Sequence, residues 1–149
     1  APGSSLTRAQ AVTVLYRMEG EPETTAENPF TDVAANKYYT EAVIWAAENQ
    51  IVKGMDATHY APNTAVTREQ LVTILARYAA FKGADVSAEA DPDFPDVGQV
   101  SHYAMAWAVE RGLFCGLGGK LSPNGTASRA QFATVIMRFC EKILGEPGF

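Results

Sequence analysis

An arginine occupies the second position of a four-residue pattern that occurs three times in the chain. The pattern is Thr or Ser, Arg, any residue, Gln, and its copies, here called tetrads, start 60 and 61 residues apart. A guanidinium group can donate two parallel hydrogen bonds to a planar acid, so a recurring arginine predicts a recurring anionic partner. The tetrads are Thr7-Arg8-Ala9-Gln10, Thr67-Arg68-Glu69-Gln70 and Ser128-Arg129-Ala130-Gln131.

The hydroxyl residue and the Gln of each tetrad predict the start of a helix. A Ser or Thr N-cap accepts from the third helical amide, and a Gln three residues later accepts from the N–H of the cap, so Thr7, Thr67 and Ser128 are predicted N-caps. This capping box does not explain the arginine, which faces the positive end of the helix dipole. Two partners for the arginines stay open: an internal carboxylate such as Asp32 or Asp96, or an external anion held together with helix N–H groups.

An apolar stripe follows each tetrad and predicts three amphipathic helices. The apolar residues are spaced i, i+3, i+4, i+7, which places them on one face of an α-helix. The first helix is predicted from about Thr7 to Glu19, and we interpret all three stripes as core-facing surfaces. The stripes are Ala11, Val14, Leu15 and Met18; Leu71, Ile74, Leu75 and Tyr78; and Phe132, Val135, Ile136 and Phe139.

A second kind of segment lies between the tetrads and occurs twice. It begins with Phe-x-Asp-Val, continues into an alanine-rich stretch with one tryptophan, and reaches a glycine nine residues after the tryptophan. This pattern predicts a helix start, a helix of about ten residues and a glycine stop. For both tryptophans we favour burial in the core over contact with a ligand. The two copies contain Phe30, Asp32, Trp45 and Gly54, and Phe94, Asp96, Trp107 and Gly116.

Composition argues against several function classes. The 149 residues suffice for one domain with a core, and the net charge of −5 without a basic run disfavours nucleic acid and anionic lipid as partners. No apolar stretch is long enough to predict a membrane span. If the protein is exported, its signal peptide lies outside this chain. Cys115 and Cys140 lack metal-site spacing, and we favour two buried side chains over a disulfide. His59 and His102 stand alone, so no metal site, catalytic group or cofactor is predicted.

The order of these patterns resembles the S-layer homology (SLH) module over residues 1 to about 145. The resemblance implies an all-α, pseudo-threefold helical repeat domain around a central helix bundle. Residues 1–149 would form one domain, with 1–29 the C-terminal half of repeat 1, 30–93 repeat 2 and 94–149 repeat 3. It further implies a non-catalytic anchor, located extracellularly at the bacterial cell surface. Its inter-repeat grooves would bind an acidic secondary cell-wall polysaccharide, such as one with a pyruvylated amino sugar.

The same resemblance implies roles for individual residues. The tetrad arginines would bind the carboxylate of the glycan, the tetrad hydroxyls would hold the helix N-termini, and neighbouring aromatic and small residues would shape the groove. An alternative stays open, in which the chain is a protein-interaction or assembly module with its arginines in internal salt bridges. The candidate site residues are Arg8, Arg68, Arg129, Thr7, Thr67, Ser128, Asp32, Asp96, Trp45, Trp107, Gly54 and Gly116.

Measured against the family pattern, the first repeat lacks its Phe-x-Asp-Val segment and tryptophan helix. We expect this to leave an apolar face from Ala42 to Trp45 and from Ala104 to Trp107 partly uncovered. Either the missing segment belongs to the parent protein or another chain covers the gap, and we expect some self-association through the truncated repeat. Catalysis is not expected, because Asp32 and Asp96 recur at equivalent sites, which favours a structural role over a catalytic pair.

Overall fold

The structure, a computed structural model, describes residues 5–54, 56, 58–84 and 127–145. This part of the chain is helical and contains no strand, which confirms the all-α prediction. The helices are α1 (Arg8–Met18), α2 (Thr40–Glu48), α3 (Arg68–Phe81) and α4 (Arg129–Phe139), and α4 continues into a π-helical turn over Cys140–Leu144.

The three helices that follow the tetrads begin where the capping boxes predict. Thr7, Thr67 and Ser128 are N-caps in extended backbone conformation, and each accepts from the amide of the Gln three residues later. That Gln side chain accepts from the cap residue's N–H in return, at 2.9–3.0 Å. These bonds satisfy two orphan amides at each helix start, so the predicted capping boxes are confirmed.

Helix α2 has different ends from those that its sequence pattern predicts. It begins at Thr40, after the turns that follow Val33, and the Thr40 hydroxyl donates to Ala34 O at 2.7 Å. It ends at Glu48, so the prediction that Gly54 stops this helix is wrong. Gly54 instead has a φ of +81°, and a Cβ there would lie 2.7 Å from the Phe30 ring. A glycine is required because the turn needs both the left-handed conformation and the close approach.

Trp45 joins three helices in the core. Its side chain is 3% exposed, which confirms the preference for burial, and its ring lies 5.6 Å from the Tyr16 ring of α1. The Tyr78 and Phe81 rings of α3 lie 6.4 and 5.9 Å from the same Trp45 ring. Residues 42–45 are all buried, so the expectation of an uncovered face on this segment is wrong. Helix α2 therefore fills the groove between α1 and α3.

A polar contact also ties the end of α1 to α3. The Tyr78 hydroxyl donates to Glu19 Oε1 at 2.7 Å, and Lys82 Nζ lies 2.8 Å from the same oxygen. Burial raises the pKa of Glu19, but the hydrogen bonds from Lys82 and Tyr78 outweigh it, and the pKa lies below its usual value. Next to this contact the Tyr78 ring stacks on Phe139 of α4 at 5.7 Å. The ends of α1, α3 and α4 are thereby held together.

Candidate functional site

The three tetrads converge on one point, where the residues before the caps form a closed ring of backbone hydrogen bonds. Leu6 N donates to Ala127 O at 2.9 Å, Ala127 N donates to Val66 O at 3.0 Å, and Val66 N donates to Leu6 O at 2.8 Å. All three side chains are buried. Because the caps follow directly, this ring places the three helix starts and their arginines side by side.

At the first tetrad the arginine is enclosed by the loop that precedes the second tetrad. Arg8 has no exposed surface, its Nε donates to Tyr60 O at 2.7 Å, and its guanidinium lies 4.5 Å from the centre of the Tyr60 ring. The Tyr60 hydroxyl donates back to Arg8 O at 3.0 Å. A desolvated cation over an aromatic face is attracted to it more strongly than an exposed one. Arg8 and Tyr60 therefore join two segments that lie 52 residues apart.

Asp32 holds this loop from its other side. One carboxylate oxygen accepts from Tyr60 N at 2.9 Å, and the other accepts from Ala61 N at 2.8 Å. Ala61 has a φ of +58°, a conformation that costs energy for a residue with a Cβ. The charged hydrogen bonds of Asp32 help to hold the loop in this conformation. Asp32 was one of the internal carboxylates considered as a partner for the tetrad arginines. Both of its oxygens instead accept hydrogen bonds from backbone amides.

The amides at the start of α1 are already bonded within the chain. Arg8 N donates to Thr64 O and Ala9 N donates to Pro62 O, both at 2.9 Å, while Gln10 N donates to the Thr7 hydroxyl. An anion at this helix start would have to displace those bonds. The idea that an anion is held by exposed N–H groups together with the arginine therefore does not apply to α1.

The second tetrad arginine is also buried. Arg68 is 6% exposed, and its Nη2 lies 3.4 Å from Oε1 of Gln131, the capping residue of the third tetrad. The contact is long for a hydrogen bond, but it places the Arg68 guanidinium against the start of α4. Arg8 therefore contacts the loop that leads into the second tetrad, and Arg68 contacts the third tetrad itself.

The third tetrad is open. Arg129 and Ala130 are exposed, and among the described residues neither the Arg129 side chain nor these two amides have a hydrogen-bond partner. The cap itself is intact, since Ser128 accepts from Gln131 N at 3.1 Å. A helix start with an accessible guanidinium and accessible N–H groups is suited to binding an anion. The three equivalent arginines thus occupy different environments, two buried and one exposed.

The remaining residues singled out in the sequence lie in the core, at the surface, or outside the described residues. Trp45 and Gly54 are buried and support the packing described above. Cys140 is buried as well, in line with the preference for a packed side chain. His59 is exposed and contacts Asp56 at 3.0 Å. The predictions for Asp96, Trp107, Gly116, Cys115, His102 and the face from Ala104 to Trp107 lie outside the described residues.

Tyr60 is the residue that the sequence analysis did not select. Its backbone and ring together contact Arg8, and its amide is held by Asp32. The signal was its position two residues before Pro62, ahead of the second tetrad. Within the described ranges no group of three acidic, His or Cys side chains could hold a metal, and no helix is long and apolar enough to cross a membrane.

Comparison with known proteins gives a consistent result. Residues 29–72 and 93–133, more than half of the chain, match the S-layer homology domain model. The chain is 32% identical, over 98% of its length, to the surface-layer 125 kDa protein of Lysinibacillus sphaericus. It is 26% identical over 85% of its length to the S-layer protein sap of Bacillus anthracis, and 26% identical over 95% to an amylopullulanase of Thermoanaerobacterium thermosulfurigenes. It spans only 8% to 16% of the length of these relatives.

Proposed function

Since the chain belongs to the S-layer homology domain family, we propose that it anchors a larger extracellular protein to the bacterial cell wall by binding an acidic secondary cell-wall polysaccharide. Relatives named as surface-layer proteins and as an amylopullulanase share this segment, although their names indicate different activities. A segment common to such different proteins fits a shared attachment role better than a catalytic one.

The observation that carries the proposal is the exposed Arg129 at the open start of α4. In a chain with a net charge of −5, an acidic glycan needs a local cationic contact, and a guanidinium offers paired donors to a carboxylate such as that of a pyruvylated amino sugar. Such a charged contact is worth about 1.5–3 kcal/mol. Arg8 and Arg68 are buried, so a glycan could bind them only after gaining access to their side chains. Ligand binding by these two arginines stays a prediction.

The proposed architecture is a single domain with pseudo-threefold symmetry. Residues 1–29 would be the second half of one repeat, followed by repeats at 30–93 and 94–149. The closed ring of hydrogen bonds among the three tetrad segments supports this arrangement, since each segment donates one bond and accepts one. The grooves that bind the glycan would then lie between neighbouring repeats.

A second function has support from a specific observation. The complete burial of Arg8 against Tyr60 is what an assembly module with internally used arginines requires. In that case the tetrads would hold the domain together, and the chain would bind other proteins of the cell surface instead of a glycan.

Co-sedimentation with purified Gram-positive cell wall, before and after extraction of its secondary polymer, separates the two functions. Anchoring predicts that Arg129→Ala weakens binding to intact wall by at least about tenfold, the equivalent of at least about 1.4 kcal/mol, and that extracted wall binds neither protein. The matched control is Arg17→Ala, which removes an exposed arginine near the other end of α1 and should bind as wild type does. Binding that ignores both the extraction and Arg129 would favour the assembly module.

A further inference from the structure

The loop that covers Arg8 spans residues 58–64 and lies at the surface of the described part of the chain. We call this segment the Tyr60 loop. Two of its residues, Tyr60 and Pro62, are buried. The residues exposed to solvent are Thr58, His59, Asn63 and Thr64. A surface segment of this kind can open locally while the core stays folded.

Both ends of the Tyr60 loop are fixed by hydrogen bonds to other segments. Thr58 O accepts from the amide and from the hydroxyl of Thr31, at 2.7 and 3.1 Å. Two residues after the loop, Val66 belongs to the ring that joins the tetrads. Between these points Thr64 N donates to Ala61 O at 3.2 Å, which closes a turn in the middle of the loop. The middle can therefore move while the ends stay in place.

In its contacts with the first tetrad, the Tyr60 loop offers neutral carbonyl oxygens as acceptors. Arg8 Nε donates to Tyr60 O at 2.7 Å. The first two amides of α1 donate to Thr64 O and Pro62 O, both at 2.9 Å. A carboxylate accepts from a guanidinium more strongly than a neutral carbonyl does, because both charges then assist the hydrogen bond. An acidic ligand therefore competes favourably with Tyr60 O once it reaches Arg8.

The closed position of the loop is strained and depends on Asp32. The oxygen of the peptide between Tyr60 and Ala61 accepts from Arg8, and the N–H of the same peptide donates to Asp32. Ala61 has a φ of +58° in this position, a conformation that costs energy for a residue with a Cβ. The second oxygen of Asp32 accepts from Tyr60 N. Opening the loop relieves the strain but breaks both hydrogen bonds to Asp32.

We propose that the Tyr60 loop is an autoinhibitory lid over the first tetrad. In the closed state Tyr60 covers the guanidinium of Arg8, and Asp32 keeps the loop shut. An acidic ligand binds Arg8 in the open state, where its carboxylate replaces Tyr60 O and Ala61 leaves the left-handed conformation. The lid lowers the apparent affinity of the first tetrad in proportion to the fraction of molecules that are open. The inference rests on the proposed function for the identity of the ligand.

The first test needs no ligand and measures amide hydrogen exchange of the full chain by NMR. Opening of the lid breaks four amide hydrogen bonds together, those of Arg8, Ala9, Tyr60 and Ala61. We expect these amides to share one protection factor, at least about tenfold below those of Val66 and Leu71, whose acceptors lie outside the loop. Protection factors equal to those of Val66 and Leu71 would overturn the proposal, because the loop would then open only when the domain unfolds.

The second test adds secondary polymer released from Gram-positive cell wall to the Arg129→Ala variant, which lacks the exposed arginine. A ligand that holds the lid open should raise the exchange rates of the Tyr60 and Ala61 amides by at least about tenfold, whereas binding to a preformed site would lower them. The control is the same polymer with its carboxylates reduced to alcohols, which should change neither rate. Polymer that binds this variant without accelerating the two amides would overturn the proposal.

A pair of valine substitutions in the same Arg129→Ala background tests the strain. Ala61→Val makes the left-handed conformation more costly, so it should open the lid and strengthen polymer binding by about tenfold. The matched control is Ala35→Val at an exposed alanine outside the loop, which should leave binding unchanged. Equal binding by the two variants would overturn the lid. If wild type does not bind the polymer, the proposed function fails, and the exchange rates measured without polymer still decide whether the loop opens.

Discussion

Replacing two equivalent arginines by alanine should have very different effects on stability. Arg8→Ala removes a buried, charged hydrogen bond worth about 1.5–3 kcal/mol and a desolvated cation–π contact worth about 2 kcal/mol, and it leaves Tyr60 O without that donor. The expected loss is about 3–5 kcal/mol, a large share of the 5–15 kcal/mol typical of a domain. Arg129→Ala acts on an exposed side chain and should cost less than about 0.5 kcal/mol.

Urea unfolding followed by far-UV circular dichroism measures both variants under the same conditions. With a slope of about 2 kcal/mol per molar urea, Arg8→Ala should lower the midpoint by about 2 M and Arg129→Ala by less than about 0.3 M. Arg8→Met keeps much of the buried volume but not the donors, and it should lose most of what Arg8→Ala loses. Equal midpoints for Arg8→Ala and Arg129→Ala would refute the assignment of Arg8 to an internal contact.

Three further changes test the surroundings of the first tetrad. Asp32→Asn leaves only one carbonyl oxygen for the two loop amides and should cost about 1–3 kcal/mol in urea unfolding, whereas an unchanged midpoint would dismiss the carboxylate's role. Gly54→Ala should lower the free energy of unfolding by about 1–3 kcal/mol, because the φ of Gly54 is +81° and a Cβ there would lie 2.7 Å from the Phe30 ring. A variant more stable than wild type would contradict this expectation. Hydrogen bonds from the backbone of Thr58 and then from His59 lower the pKa of Asp56 from 3.8 to about 2. The folded pKa lies below the unfolded one, so Asp56 stabilises the fold above about pH 4, and the advantage of wild type over Asp56→Asn in thermal melts should vanish near pH 2.

The helices that follow the tetrads could be predicted because their signals are local. A cap hydroxyl and a Gln three residues later specify a helix start without any information about the rest of the chain, and all three boxes are present. The burial of Trp45 followed from its place in an apolar helical stretch. The ends of α2 were predicted less well, since its start depends on the turn that the Thr40 hydroxyl stabilises.

The partners of the candidate site residues could not be predicted, because they are distant in sequence. The contact of Arg8 with Tyr60 spans 52 residues, and that of Asp32 with the Tyr60 amide spans 28. The three arginines look alike in sequence, yet their exposure depends on which segment covers each of them. For the same reason residues 42–45 are buried, although the sequence predicted a partly uncovered apolar face there.

The ring formed by Leu6, Val66 and Ala127 also bears on how the chain folds. Its members lie 60, 61 and 121 residues apart, so none of its bonds can form before a long loop has closed. Loop closure costs entropy that grows only slowly with length, and two closures bring the third pair together without a further loop. The third bond therefore forms at little extra entropic cost, and opening any one segment breaks two bonds at once. The chain should fold slowly for a helical protein and unfold in a single cooperative transition, with the ring among the last contacts to form.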